Sequence, residues 1–139
     1  MAKHCGTFEH TADVGLAAEA DSPGELFEAL AEGLADLICP REQVRAAEQR
    51  RVDVTAEDVE VLAVDFLSEV LAAVQAGRFV VARVSVEAID DGRVSARLLG
   101  EPYNPARHEL RTEVKAVTYH QLRVARDGER WTARVILDV

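Results

Sequence analysis

Hydrophobic and polar positions along the chain fall into alternating runs with two helical stretches between them. Residues 8–20 alternate as a strand, with Val14, Leu16 and Ala18 on one face and Asp13 and Gly15 on the other. A helix start follows: Ser22 serves as N-cap, Pro23 takes the first helical position, and Glu25 completes a capping box. Leu26, Leu30, Leu34 and Leu37 then recur at helical spacing beside Phe27 and Ile38, and the helix should end near Pro40. Val52 and Val54 mark a short strand over 50–55. Asp58 caps a second helix whose buried stripe is Leu62, Phe66, Leu67, Val70, Leu71 and Val74, with Gly77 ending it.

The rest of the chain reads as β-rich. Segments 79–89 and 93–100 flank Asp91-Gly92, and segments 119–126 and 130–138 flank Asp127-Gly128. Asp-Gly between alternating segments predicts hairpins with type I′ turns, which need positive φ. Between the two hairpins, GEPYNPARHE is a loop punctuated by Pro102 and Pro105. The expected architecture is α+β, a two-layer sandwich with two helices packed on one mostly antiparallel β-sheet. No repeat or linker divides the chain, so one domain is expected over residues 1–139.

Composition narrows the function. Apolar residues make up 48% of the chain and charged residues 29%, a globular balance with few aromatics, so aliphatic side chains must carry the core. The formal net charge is −9, and no Lys/Arg run is present. Strong direct nucleic-acid binding is therefore not expected, and a basic protein partner or a cation suits the charge better. Cys5 and Cys39 lack the spacing of a disulfide framework or a zinc site. No leader, membrane-length apolar run or lipidation motif is evident, so a cytoplasmic, non-membrane protein with reduced thiols is expected.

Few residues suggest chemistry on their own. Asp13 lies on the polar face of the opening strand, where an aspartate is ordinarily just solvated. Asp138, the penultimate residue, shares a face with Thr132, Arg134 and Ile136, while Trp131, Ala133, Val135, Leu137 and Val139 share the other. An acidic cluster at a strand end would repel itself unless a hard cation such as Ca²⁺ or Mg²⁺ neutralised it. Whether Asp13 and Asp138 are neighbours cannot be read from periodicity. His10, His108 and His120 could join them in a transition-metal site, yet no pair is fixed on one element, and structural histidines are the plainer reading. Nucleophilic catalysis finds no support: Cys5 precedes a glycine near a terminus expected to fray, Cys39 ends an apolar helix face, and Ser68 and Ser85 lack an elbow sequence. Lys3 and Lys115 are the only lysines, and a lone Lys115 in VKAVTY ordinarily faces solvent. Asp65 reads as the solvent edge of the second helix.

Several strings together resemble the archease family. They are FEHTADVG at 8–15, VDFLSEVL at 64–71, GEPYNPARHELRTEVKAVTYHQL at 100–122 and WTARVILDV at 131–139. The match runs in the family's order over nearly the whole chain, while 40–57 and 85–97 agree only in hydrophobic pattern. The resemblance implies an accessory protein, not an enzyme, that activates an RtcB-type RNA ligase in tRNA splicing by promoting its GTP-dependent guanylylation and multiple turnover. It also implies a metal site at Asp13, Asp138 and Val139 holding a divalent cation, calcium in the family and with magnesium or manganese as alternatives. Lys115 matches a lysine tied to function.

Two other readings stand beside this one. The chain could be a chaperone or modulator of another RNA-processing enzyme, such as an RNA methyltransferase. It could also be a metal-dependent hydrolase using Asp13, Asp138 and His10, although it has no recognisable nucleophile or base.

Overall fold

Ser22 and Asp58 start the two helices, as their positions in the sequence predict. The computed structural model describes residues 3–10 and 13–139, with the side chains of residues 9 and 10 outside that description. Helix α1 spans Pro23–Ile38 and helix α2 spans Val59–Gln75. The Glu25 N–H donates to Ser22 Oγ at 3.2 Å, and the Val61 N–H donates to Asp58 Oδ1 at 2.9 Å. Each cap satisfies an orphan donor and is worth about 1 kcal/mol. Helix α2 stops at Gln75, and the chain leaves it through Arg78 (φ 49°), one residue past the expected Gly77.

The strands are β1 (His4–His10), β2 (Asp13–Ala20), β3 (Glu48–Thr55), β4 (Phe79–Ile89), β5 (Arg93–Pro102), β6 (Ala116–Val117), β7 (Arg123–Asp127) and β8 (Arg130–Asp138). The α+β class and the antiparallel pairing are as expected, but the strands divide between two sheets instead of forming one. In the larger, the order is β1-β2-β8-β6, with β7 also pairing β8; in the smaller it is β3-β5-β4. The division follows from partner choice, which alternation does not encode: β3 joins the 79–102 hairpin, while the last strand returns to the first hairpin. The single strand expected over 8–20 is instead the antiparallel pair β1–β2, with His10 opposite Asp13. Gly6 and Thr7 carry no apolar alternation, so β1 leaves almost no sequence signal.

Neither Asp-Gly turn has the expected I′ form. At the first, Asp90 accepts the Gly92 N–H on its side chain at 2.9 Å, and neither Asp91 nor Gly92 has positive φ. At the second, Asp127 pairs with Arg130 inside the ladder, and Gly128 (φ 64°) alone takes the left-handed conformation. Positive φ at only the first turn residue is the requirement of a type II′ turn.

Both helices pack over the two sheets around one apolar cluster. Leu26, Phe27, Leu30 and Leu34 of α1 and Leu62, Phe66 and Leu67 of α2 are fully buried against Leu16, Val94, Leu98, Val135 and Leu137. Phe27 and Phe66 meet with ring centroids 5.5 Å apart. Each such side chain contributes roughly 1.5–3 kcal/mol on leaving water.

Helix carboxylates also satisfy backbone groups of the outermost strands. Glu32 and Glu28 of α1 accept the N–H groups of Val84 and Val86 of β4 at 3.0 and 2.9 Å. Glu60 of α2 accepts the Val124 N–H of β7 at 3.0 Å. Lys3 neutralises the α1 pair, lying 3.1 Å from both Glu28 and Glu32. An unmet buried N–H costs about 1–3 kcal/mol, so these bonds add to the apolar packing that holds the helices on the strands. No helix among the described residues is long and apolar enough to cross a membrane.

Candidate functional site

Pairing of β2 with β8 brings the two acidic candidates together. Asp13 and Asp138 are direct register partners, and Ala116 of β6 is the partner of Asp138 on its other side. Their side chains therefore leave the same face of the larger sheet at one end. Among the described residues neither carboxylate has a side-chain hydrogen-bond or ion-pair partner. Like charges opposite each other in a ladder are destabilising by a few tenths to about 1 kcal/mol, so the pair is suited to an added positive charge.

The string VKAVTY is held beside this pair by two elements, β8 and α2. The Lys115 N–H donates to the Asp138 carbonyl at 2.7 Å, and the Thr118 N–H and hydroxyl both donate to the Ile136 carbonyl at 3.0 Å. Gln75 of α2 donates to the Val114 carbonyl at 2.6 Å, and the Tyr119 hydroxyl donates to Asp65 at 2.5 Å. That bond raises the Tyr119 pKa above the ordinary phenol value. The Lys115 main chain is thus fixed one residue from the partner of Asp138, while its side chain is exposed. Asp65, read from the sequence as a solvent edge, is half-buried and anchors Tyr119. Val139 packs its side chain against the core, which places its main-chain oxygens beside Asp138.

This donor set consists of oxygens only. Two carboxylates and a main-chain oxygen fit a hard cation, and they fall short of the roughly six to eight oxygens calcium takes, so waters or another molecule's oxygens would have to complete the shell. Among the described residues no group of three His, Cys, Asp or Glu stands close enough to hold a metal. His108 is far from being a free ligand. It is buried, its Nδ1 accepts the Asn104 N–H at 2.9 Å, and its Nε2 lies 2.9 Å from Glu101 Oε2. Acceptance at Nδ1 places the proton on Nε2, directed at the carboxylate. Glu101 also accepts from the Arg45 N–H at 2.9 Å and from Arg107. The Arg45 bond first, then Arg107 and His108, hold its carboxyl down to about 2. The network pins the loop after β5. His120 is exposed, and the side chain of His10 lies outside the described residues.

The thiols are free but poorly suited to nucleophilic attack. Cys5 sits within β1 rather than in a frayed end, and burial pushes its pKa up to about 11. Burial likewise raises that of Cys39.

Fold and site define a small α+β protein with a paired acidic strand end and a lysine-bearing segment clasped beside it. The profile of the archease protein family (MTH1598/TM1083) matches residues 6–139. An archease from Pyrococcus abyssi is 38% identical over 137 residues, covering 95% of this chain and 96% of the relative. One from Methanosarcina mazei is 37% identical over 135 residues, covering 94% and 92%. Protein 1598 of Methanobacterium thermoautotrophicum superposes with a TM-score of 0.80 at 33% identity, covering 99% of this chain and 98% of that one. The fold is also shared by a Thermotoga maritima archease, a possible chaperone, with a TM-score of 0.60 at 23% identity over 95% and 94% of the two chains. This chain belongs to the archease family.

Proposed function

We propose that this protein is a non-enzymatic activator of an RtcB-type RNA ligase, acting in tRNA splicing through a divalent cation, calcium in the first instance, held by Asp13, Asp138 and the main chain of Val139. The observation that carries the reading is the direct pairing of Asp13 with Asp138 at an exposed sheet end beside Lys115. A cation there would supply positive charge that phosphate oxygens or a partner's carboxylates can share. The chain's own part is to hold two carboxylates at fixed separation and to present Lys115 as a second, mobile charge next to them. Because the chain supplies too few oxygens for a full shell, waters or a partner's oxygens would have to complete it, which suits an accessory protein that works against a partner. The chain's net charge of −9 would favour encounter with a cationic nucleotide pocket.

The test is ligase guanylylation with GTP, measured with wild type, Asp13→Ala and Lys115→Ala. Loss of stimulation in both variants, with unfolding transitions retained, supports the reading; full stimulation in both rejects it. Raising ionic strength should weaken stimulation, and indifference to salt would count against electrostatic docking. A second reading, as a chaperone of another RNA-processing enzyme, draws on the Thermotoga relative, a possible chaperone. Co-purification with an RNA methyltransferase in place of a ligase would favour it.

A further inference from the structure

The outward face of the larger sheet carries a second feature, independent of the acidic pair. Reading the register across four strands, Gly6 of β1 pairs with Ala17 of β2, Ala17 with Arg134 of β8, and Arg134 with Arg123 of β7. Two minimal side chains therefore form a floor, and two arginines stand next to each other at its side. These residues line a groove of about 560 Å³ whose walls include Phe8 and Thr132.

Six of the fourteen arginines have no carboxylate partner among the described residues, and of these only Arg123 and Arg134 oppose each other in a ladder; the other opposed pair, Arg51 and Arg97, shares Glu87. Arg41, Arg51, Arg97, Arg107 and Arg130 each meet a carboxylate. Arg123 and Arg134 meet none among the described residues, in a chain with 25 acidic and 16 basic residues. Directly opposed like charges in a ladder cost stability; the one carboxylate lining the groove, Glu19, is taken by Arg130 at 2.8 Å, which leaves Arg123 and Arg134 to meet an incoming anion. Arg134 is also held in place: its guanidinium lies 4.3 Å from the centroid of the Phe8 ring. A stacked guanidinium loses little further freedom when it binds an anion, and its planar donors match phosphate oxygens.

We propose that this groove binds a terminal phosphate, the dianionic group of a phosphomonoester or pyrophosphate, between Arg123 and Arg134 over the Gly6–Ala17 floor. Two guanidinia match the charge of one such group, which approaches −2 at neutral pH. Arg134 and Asp138 lie on the same face four residues apart, about 13 Å along the strand. The phosphate site is thus separate from the acidic pair, and it stands whether or not that pair holds a cation.

The experiment titrates the full chain with inorganic pyrophosphate in EDTA, so that no divalent cation bridges to Asp13 and Asp138, and follows backbone amide shifts by NMR. Saturable shifts at Gly6, Ala17, Arg123 and Arg134, with affinity weakened about tenfold in Arg123→Ala and in Arg134→Ala, support the proposal. Arg123→Ala removes a side chain with no partner among the described residues, so it reports on binding and not on folding; Arg78→Ala is the control that should change nothing. Absence of saturation, equal binding by Arg123→Ala, or an identical response to acetate would overturn the proposal. A parallel titration with adenosine 5′-monophosphate separates sources: tighter binding than pyrophosphate assigns the groove to a nucleotide, and equal or weaker binding assigns it to the phosphate alone.

Discussion

Asp13 and Asp138 stand directly opposite each other across β2 and β8, near opposite ends of the sequence and joined by one rung of a ladder. In cation-free buffer that rung is a like-charge contact, so Asp13→Asn should raise stability by a few tenths to about 1 kcal/mol. With calcium at one hundred times its dissociation constant, wild type should gain about 2.7 kcal/mol and the variant much less. Thermal unfolding in EDTA and in calcium reads both effects. Equal calcium responses from the two proteins would remove Asp13 from the ligand set.

Lys115 separates function from folding. Its main chain is bonded to Asp138 and its side chain is exposed, so Lys115→Met should leave stability within about 0.5 kcal/mol of wild type. Ligase stimulation should nonetheless fall. A variant that unfolds early and stimulates normally would reverse the assignment.

Glu101 predicts a pH dependence. Its carboxyl titrates at about 2 in the fold, against about 4.3 in an unfolded chain. The folded state therefore binds fewer protons, and the contribution of Glu101 is fully present above about pH 4.3 and is lost as the pH falls from there toward 2. In denaturant titrations at stepped pH, Glu101→Gln should be less stable at pH 7 by about 2 kcal/mol, from weakened bonds to Arg107, His108 and the Arg45 amide. Its stability should also fall less steeply across that acid window. Parallel curves for the two proteins would contradict the network.

Gly15 lies beneath the Phe8 ring, and a Cβ there would run into it. Gly15→Ala should cost about 1–3 kcal/mol by overpacking. Most of that cost should vanish in a Phe8→Ala background, where the ring is gone. A double-mutant cycle measures the coupling, and additive values would show that the backbone and not the ring sets the preference for glycine.

Local chemistry made the helices legible. Ser22 and Asp58 cap donors only three residues away, and the Leu26–Leu30–Leu34 stripe reports its own period, so nothing distant had to be known. Features that depend on distant partners were less readable. Strand β1 lacks alternation, and whether β8 returns to β2 is decided by packing. The candidate site reflects this: the resemblance pointed to Asp13 and Asp138, but only strand pairing places them together. Glu28, Glu32 and Glu60 look like ordinary solvated helix positions until their strand partners are seen. Arg123 and Arg134 gave no signal at all, since ten residues of turn and strand lie between them and only the β7–β8 register makes them adjacent.

Carboxylates reaching from helices to strand amides have a consequence for the protein in concentrated solution. Where Glu28 and Glu32 occupy amides of β4 and Glu60 occupies one of β7, a stray extended chain finds those donors already taken. Sideways growth of a fibril from the β4 or β7 edge would first have to displace a charged acceptor held on a rigid helix. These three glutamates therefore act as guards against self-association, a role that places them under a constraint no catalytic or binding assay would reveal.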